Sequence, residues 1–261
     1  MRFSVLGSGS RGNATLVEAG QTTILIDAGF SAREIGRRLA AIGRDPAAID
    51  AILLTHEHRD HVSGAGVLSR VLRRPLHGNV ATCRAAEHLI GRPHGIREFD
   101  TGQGFAVGDL LIHPFSISHD CVDPVGYVIE DGESVFGYLT DTGQLTRLMR
   151  HHLRRCQALV LESNHDPALL RDGPYPPPLK QRVQSNRGHL ANGEAAAFLA
   201  ELAGDLLQQV VLAHLSEVNN RPELALAAAQ AALSPCAQPP QLLLAAQGCP
   251  TGCLEIAPGR R

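Results

Sequence analysis

The run Thr55-His56-Glu57-His58-Arg59-Asp60-His61 constrains this chain more than any other feature, because four metal-ligating side chains fall within six residues. Directly before it stands Ala51-Ile52-Leu53-Leu54-Thr55, a short apolar stretch of the kind that forms a strand buried on both faces. A strand that ends in a loop rich in imidazole and carboxylate groups lets those groups converge on one point. Such nitrogen and oxygen donors suit zinc, manganese or iron. An ordinary polar surface loop has no need of this ligand density, nor of a buried strand in front of it.

One run cannot complete two metal sites, so further ligands are expected at other strand ends. Ser118-His119-Asp120 follows an apolar segment, Asp141 closes Gly137-Tyr138-Leu139-Thr140-Asp141, and His214 closes Val210-Val211-Leu212-Ala213-His214. Each alone reads as a cap or a core polar group. Together with the run at 56–61 they supply the number of ligands that two ions sharing one carboxylate require.

Elsewhere the pattern mixes strands and helices. Strands are predicted at Phe3–Leu6, Ala14–Glu18, Thr22–Asp27, Ala51–Thr55, Phe105–Ile112, Gly126–Glu130, Ser134–Leu139, Ala158–Leu161, Gln209–Ala213 and Leu242–Ala246. Helices are predicted from Ser31 to Ile42, Asn192 to Ala203 and Pro222 to Leu233. Residues 172–188 read as a Pro-rich, basic loop. Short turns between many strands favour a two-sheet core with helices outside, in a single domain over 1–261. Gly7-x-Gly9-x-x-Gly12 matches a dinucleotide fingerprint after a strand, but that fingerprint needs a helix next, and Ala14–Glu18 reads as a strand.

Composition sets outer bounds. Hydrophobic residues at 44% are ample for a core, and charged residues at 19% exclude a disordered chain. A net charge of −2 leaves no general cationic coat, so any polyanion must be held by a local patch. Six scattered cysteines form no disulfide framework, and neither a signal peptide nor a membrane-spanning run is visible. A cytoplasmic location with no membrane partner is the expectation.

The run His-x-His-x-Asp-His, with distant His119, Asp141 and His214, resembles the metallo-β-lactamase superfamily over a span from Asp27 to His214. The resemblance implies an α/β fold, the four-layered αββα sandwich, and two divalent ions, zinc or manganese. It implies that His56, His58 and His119 hold the first ion and Asp60, His61 and His214 the second. Asp141 would bridge them, with a hydroxide shared by the ions as nucleophile. Gly7-Ser8-Gly9-Ser10-Arg11-Gly12-Asn13, Leu161-Glu162-Ser163-Asn164-His165-Asp166, Gly188-His189-Leu190 and His214-Leu215-Ser216 look like the YycJ/WalJ-type subgroup. That subgroup is associated with phosphodiester cleavage, including 5′-polarity exonuclease action on single-stranded DNA. A phosphodiesterase acting on single-stranded nucleic acid is therefore implied, with hydrolysis of a small ester, thioester or lactone as the alternative. Redox proteins of the same fold carry a glutamate where this chain has His58, which ranks that role low.

The resemblance also gives His189 a part in proton transfer, oriented by Glu162, with Asp60 completing the catalytic set. Asp27 is expected to hold the 56–61 loop from behind. Lys180, Arg182 and Arg187 are candidate contacts to a nucleic-acid backbone, because cationic side chains, and guanidinium forks above all, match phosphate oxygens. Tyr175 is a candidate to stack on a base.

Overall fold

The computed structural model describes residues 1–204 and 206–258. The first half of the chain contributes β1 (Arg2–Gly7), β2 (Ala14–Ala19), β3 (Thr22–Ile26), α1 (Ala32–Ala41), β4 (Ala51–Leu53), α2 (Arg59–Val62), α3 (Ala65–Leu72), β5 (Leu76–Asn79), α4 (Val80–Ile90) and β6 (Ile96–Phe99). The middle contributes β7 (Phe105–Val107), β8 (Leu110–Ser116), β9 (Val125–Glu130), β10 (Val135–Leu139), α5 (Arg147–Leu153) and β11 (Ala158–Glu162). Then follow α6 (Pro167–Asp172), α7 (Pro177–Val183), α8 (Asn192–Leu202), β12 (Gln209–Ala213), α9 (Pro222–Leu233), β13 (Gln241–Leu244) and β14 (Leu254–Glu255).

Two seven-stranded sheets result, ordered β14-β1-β2-β3-β4-β5-β6 and β13-β12-β11-β10-β9-β8-β7. Both are built to one plan. β1 to β3 pair antiparallel and β3 to β6 parallel. β7 to β10 pair antiparallel and β10 to β13 parallel.

Alternation along the strands sorts side chains into three apolar layers. Ile24, Ile26 and Leu53 meet Tyr127, Phe136, Val160 and Val211 between the sheets. Their neighbours Leu25 and Ile52 turn the other way, onto Ile35 and Leu39 of α1 and Leu68 of α3. On the second sheet Leu159, Leu161, Val210 and Leu212 pack under Phe198 and Leu199 of α8 and Ala229 of α9. The parallel strands are thus covered on both faces, which is why they read as unbroken apolar runs. The layers are helices, sheet, sheet, helices, as the αββα expectation requires.

Three readings are corrected. Phe105–Ile112 is a hairpin, with a turn at Gly108-Asp109 where Gly108 takes φ +53°. An added Cβ at that glycine would lie 2.1 Å from Thr22 Oγ1. The 172–188 segment is not all loop, because α7 runs through Pro177–Val183. Prolines at the start of a helix lose no hydrogen bond and have φ already set, so Pro177 and Pro178 begin α7 rather than forbid it. The stretch 65–99, for which no elements were predicted, holds α3, β5, α4 and β6. Behind Gly7-x-Gly9-x-x-Gly12 stands the strand β2, as expected.

Phe3 and Phe136 meet across the sheets with ring centroids 4.8 Å apart, both fully buried. Phe136→Ala is expected to cost about 3–5 kcal/mol through the cavity it leaves. Urea unfolding checks this, with a lowered midpoint and an unchanged slope.

Candidate metal centre

The candidate ligands stand just beyond the C-terminal ends of strands, the edge at which open α/β sheets hold their ligands. Asp27 follows β3, the 56–61 run follows β4, His119 follows β8, Asp141 follows β10, Glu162 ends β11 and His214 follows β12. Three of them sit in strained backbone. Asp27 (φ 59°), Asp141 (φ 61°) and His214 (φ 54°) are left-handed, a conformation that is costly for residues with a Cβ. Arg73 is the one other non-glycine residue with positive φ among the described residues. Such strain persists where the surroundings dictate it, and here it turns three side chains toward one point.

The 56–61 run is clamped by backbone contacts. Asn13 N–H donates to Asp60 O and Ala28 N–H to His61 O, each at 2.8 Å. The approach is so close that a Cβ on Gly29 would lie 1.7 Å from Asp60 O. Buried Asp27 completes the clamp. It accepts from Thr55 N–H at 2.9 Å, from Thr55 Oγ1 at 2.8 Å and from His61 Nδ1 at 2.7 Å. Burial raises its pKa, with the His61 charge and these hydrogen bonds pulling the other way.

Each imidazole is oriented through one nitrogen, leaving the other for a ligand. His56 Nδ1 donates to Thr55 Oγ1 at 3.0 Å, and His119 Nδ1 to Gly188 O at 3.0 Å. His214 Nδ1 lies 3.5 Å from Glu162 Oε1. His58 is turned the other way, with Nδ1 3.2 Å from His119 Nε2 and Nε2 3.3 Å from Cys121 Sγ. Asp60 Oδ2 lies 3.5 Å from His61 Nε2 and 3.4 Å from His214 Nε2. Asp141 stands between the groups, 3.3 Å from both His61 Nε2 and His214 Nε2 and 3.9 Å from His119 Nε2.

The donor set fits divalent metal. Ligand atoms of His56, His58, His119 and Cys121 lie within 4.8 Å of one another, as do those of Asp60, His61 and His214. His56 Nε2 and Asp141 Oδ2 are buried without a hydrogen-bond partner, a state that costs about 1–3 kcal/mol per group unless something binds there. The charge balance agrees. Burial works against a charged His214, yet Asp141, Asp60 and Glu162 push its pKa up to about 10, and Asp141, Asp27 and Asp60 raise His61 likewise. The pocket holds more negative charge than neutral histidines can balance, and it favours cations.

Beside the cluster, His189 Nδ1 donates to fully buried Glu162 Oε1 at 2.7 Å. Burial disfavours charge on His189, but Glu162 more than offsets this and raises its pKa. The adjoining cleft, of about 150 Å³, is lined by His119, His189, His214, Tyr175, Arg182 and Ser216, among others. Of the three basic candidates only Arg182 lines it, paired with Asp120. Arg187 instead holds the carbonyls of His119 (3.0 Å) and Cys121 (3.2 Å), and Lys180 Nζ bonds Arg171 O at 2.7 Å. Three residues escaped the sequence reading: Cys121, Asn164, whose Nδ2 is 3.3 Å from His214 Nδ1, and Asn13, whose Nδ2 is 3.0 Å from His61 Nε2. Asn13 and Asn164 lie in motifs already noted, which is the one signal that pointed to them.

Two outcomes follow from this geometry. Asp27→Asn is expected to weaken metal binding about 10–100-fold with the fold retained, read by chelator competition and circular dichroism. Metal-saturated protein is expected to melt roughly 10 °C above chelated protein, since occupancy at about 1,000 times Kd stabilises by about 4 kcal/mol.

The family model described as "Beta-lactamase superfamily domain" matches residues 22–215. The chain is 38% identical over 228 residues to exodeoxyribonuclease WalJ of Streptococcus pneumoniae, covering 86% of this chain and 85% of that protein. It is 37% identical over 227 residues to exodeoxyribonuclease YycJ of Bacillus anthracis, covering 86% of each. Among solved structures, the metallo-β-lactamase fold protein YhfI from Bacillus subtilis superposes with a TM-score of 0.75 at 19% identity, over 96% of this chain and 98% of that one. With strand plan, ligand edge and sequence in agreement, the chain belongs to the metallo-β-lactamase superfamily, on its YycJ/WalJ-like branch.

Proposed function

We propose that this protein is a dinuclear metal-dependent phosphodiesterase that shortens single-stranded nucleic acid, DNA from the 5′ end, in the cytoplasm. The observation that carries this reading is the His189–Glu162 pair beside the cluster, because a phosphodiester needs a proton for its poor leaving alkoxide. The printed activity of the WalJ and YycJ relatives supports the same substrate class. No helix is long and apolar enough to cross a membrane, and the cysteines among the described residues are free thiols.

In this reading His56, His58 and His119 would hold one ion and Asp60, His61 and His214 the other, with Asp141 as the carboxylate they would share. Zinc or manganese bound there supplies Lewis acidity and a more acidic water. Glu162 fixes Nδ1 of His189 and favours its protonated form, which leaves Nε2 to hand a proton to the departing oxygen. Arg182 lies on the cleft wall, where a guanidinium meets phosphate oxygens. Arg187 positions the His119 loop rather than touching substrate, and Lys180 lies outside the cleft lining.

The test is cleavage of 5′- and 3′-end-labelled single-stranded DNA and RNA after chelation and add-back of manganese or zinc. Wild type is expected to shorten DNA from its 5′ end, and Asp60→Ala to lose activity together with metal. No cleavage by protein that retains its metal overturns the reading and leaves small-ester hydrolysis in its place. His189→Ala is expected to lower kcat by about 10²–10⁴ with metal content unchanged, measured by single-turnover kinetics and metal analysis.

A further inference from the structure

Residues 142–161 contain Arg147, Arg150, Arg154 and Arg155, His151 and His152, and no acidic residue, in a chain whose net charge is −2. The four arginines are concentrated on and just after α5, which buries Met149 and Leu153 against the second sheet. Arg147, His151 and Arg154 follow the i, i+4, i+7 spacing, share one face of the helix, and are all exposed. Arg150 pairs with Glu201 and Arg155 with Glu130. Arg147 and Arg154 make no ion pair among the described residues. Burial and the neighbouring His151, His113 and Arg155 hold the His152 imidazole below its ordinary pKa.

A chain of shallow depressions leads from the patch to residues close in sequence to the metal centre. A shallow depression begins at Gly143 and Asn186, two residues from Asp141 and three from His189, and reaches Arg150 and Glu201. A second, of about 330 Å³, shares Arg150 and Glu201 with the first and adds Arg147, His151 and Arg154. A third shares His151 and Arg154 and ends at His113, His152 and Arg155. Besides Glu201, the acids beside this path are Glu130, which pairs with Arg155 and lies 3.5 Å from His113, and Glu194, whose carboxylate is engaged by Ala191 N–H at 2.9 Å. The loop is also tied down at its start, with Gly143 N–H donating to Ser118 O at 2.8 Å and Arg150 Nη1 to Leu145 O at 2.8 Å.

We propose that this cationic face of α5 binds the phosphodiester backbone of the substrate strand several nucleotides from the scissile end. The proposal rests on the nuclease reading above. It commits to a flexible polyanion because the positive groups form a track rather than a pocket. Six residues separate Asp141 from Arg147, so they lie within about 22 Å of each other. Even at a stacked spacing of roughly 3.4 Å per phosphate, a strand reaches the patch within about six nucleotides, and an unstacked strand within fewer. Short substrates engage the cleft alone.

The test compares metal-loaded wild type with the double variant Arg147→Ala, Arg154→Ala on a thymidine dinucleotide and on an oligothymidylate of about 20 residues, across sodium chloride concentrations. The variant is expected to lose roughly tenfold in kcat/KM on the long strand through KM. The slope of log kcat/KM against log salt should shallow by about 1.4, at about 0.7 per lost single-strand contact, with dinucleotide hydrolysis unchanged. Equal loss on both substrates, or none on either, overturns the proposal. Anisotropy with a labelled phosphorothioate strand separates it from the parent reading. Binding that depends on Arg147 and Arg154 without any cleavage of normal DNA removes the nuclease reading and leaves the patch. Cleavage with binding indifferent to both arginines removes the patch and leaves the nuclease. Binding of the variant and wild type alike to the strand, with a difference on anionic vesicles, also overturns it in favour of a lipid surface.

Discussion

The structure turns on a surplus of buried negative charge. Buried Asp27, Asp141 and Glu162 and half-buried Asp60 are gathered at one edge of two apolar sheets, where water screens them poorly. Carboxylates so close together are tolerable only if cations lie among them. In the bare protein that part falls to His61 and His214, which the acids hold in their charged forms. A divalent ion bound there would supply the same positive charge and leave the imidazole nitrogens free to act as its ligands. The left-handed backbone at Asp27, Asp141 and His214, the Gly29 contact with Asp60 and the Arg187 tether all serve to keep these groups converged against their mutual repulsion.

Much of this was legible in the sequence, for reasons that differ by residue. His56, His58, Asp60 and His61 announce themselves because four donors are contiguous behind an apolar strand. His119, Asp141 and His214 are visible through position, as polar residues at the ends of buried runs. Those runs are continuous because both faces of the parallel strands are covered. Cys121 gives no such sign, since its approach to His58 depends on how the loop after β8 folds over the loop after β4. Composition misled at 172–188, where four prolines suggested a loop but Pro177 and Pro178 begin a helix. Net charge concealed the α5 track, because acids elsewhere cancel its arginines in the sum. His151 and His152 lack ligand-like context and lie apart from the candidate metal centre.

The two sheets share one plan but not one task. The first supplies His56, His58, Asp60 and His61 in a single loop, braced by Asp27. The second supplies His119, Asp141 and His214 from three separate strand ends, together with the His189–Glu162 pair. Cleft and cationic track both border the second half, whereas the first is devoted to ligand geometry. Tyr127, whose hydroxyl donates to Leu54 O across the interface, couples the halves at the residue just before the ligand loop.

The short strand β14 returns from the far end of the chain to cover β1, with Thr251 N–H on Val5 O and Ile256 N–H on Met1 O, each at 2.9 Å. While the polypeptide emerges from the ribosome, β1 therefore presents an uncovered row of amides and carbonyls until some 250 residues have been made. The nascent chain carries an open sheet edge for as long as the residues between β1 and β14 take to be made. Protection against wrong pairing in that interval falls to what β1 itself offers: an exposed Arg2 at its start and a length of six residues.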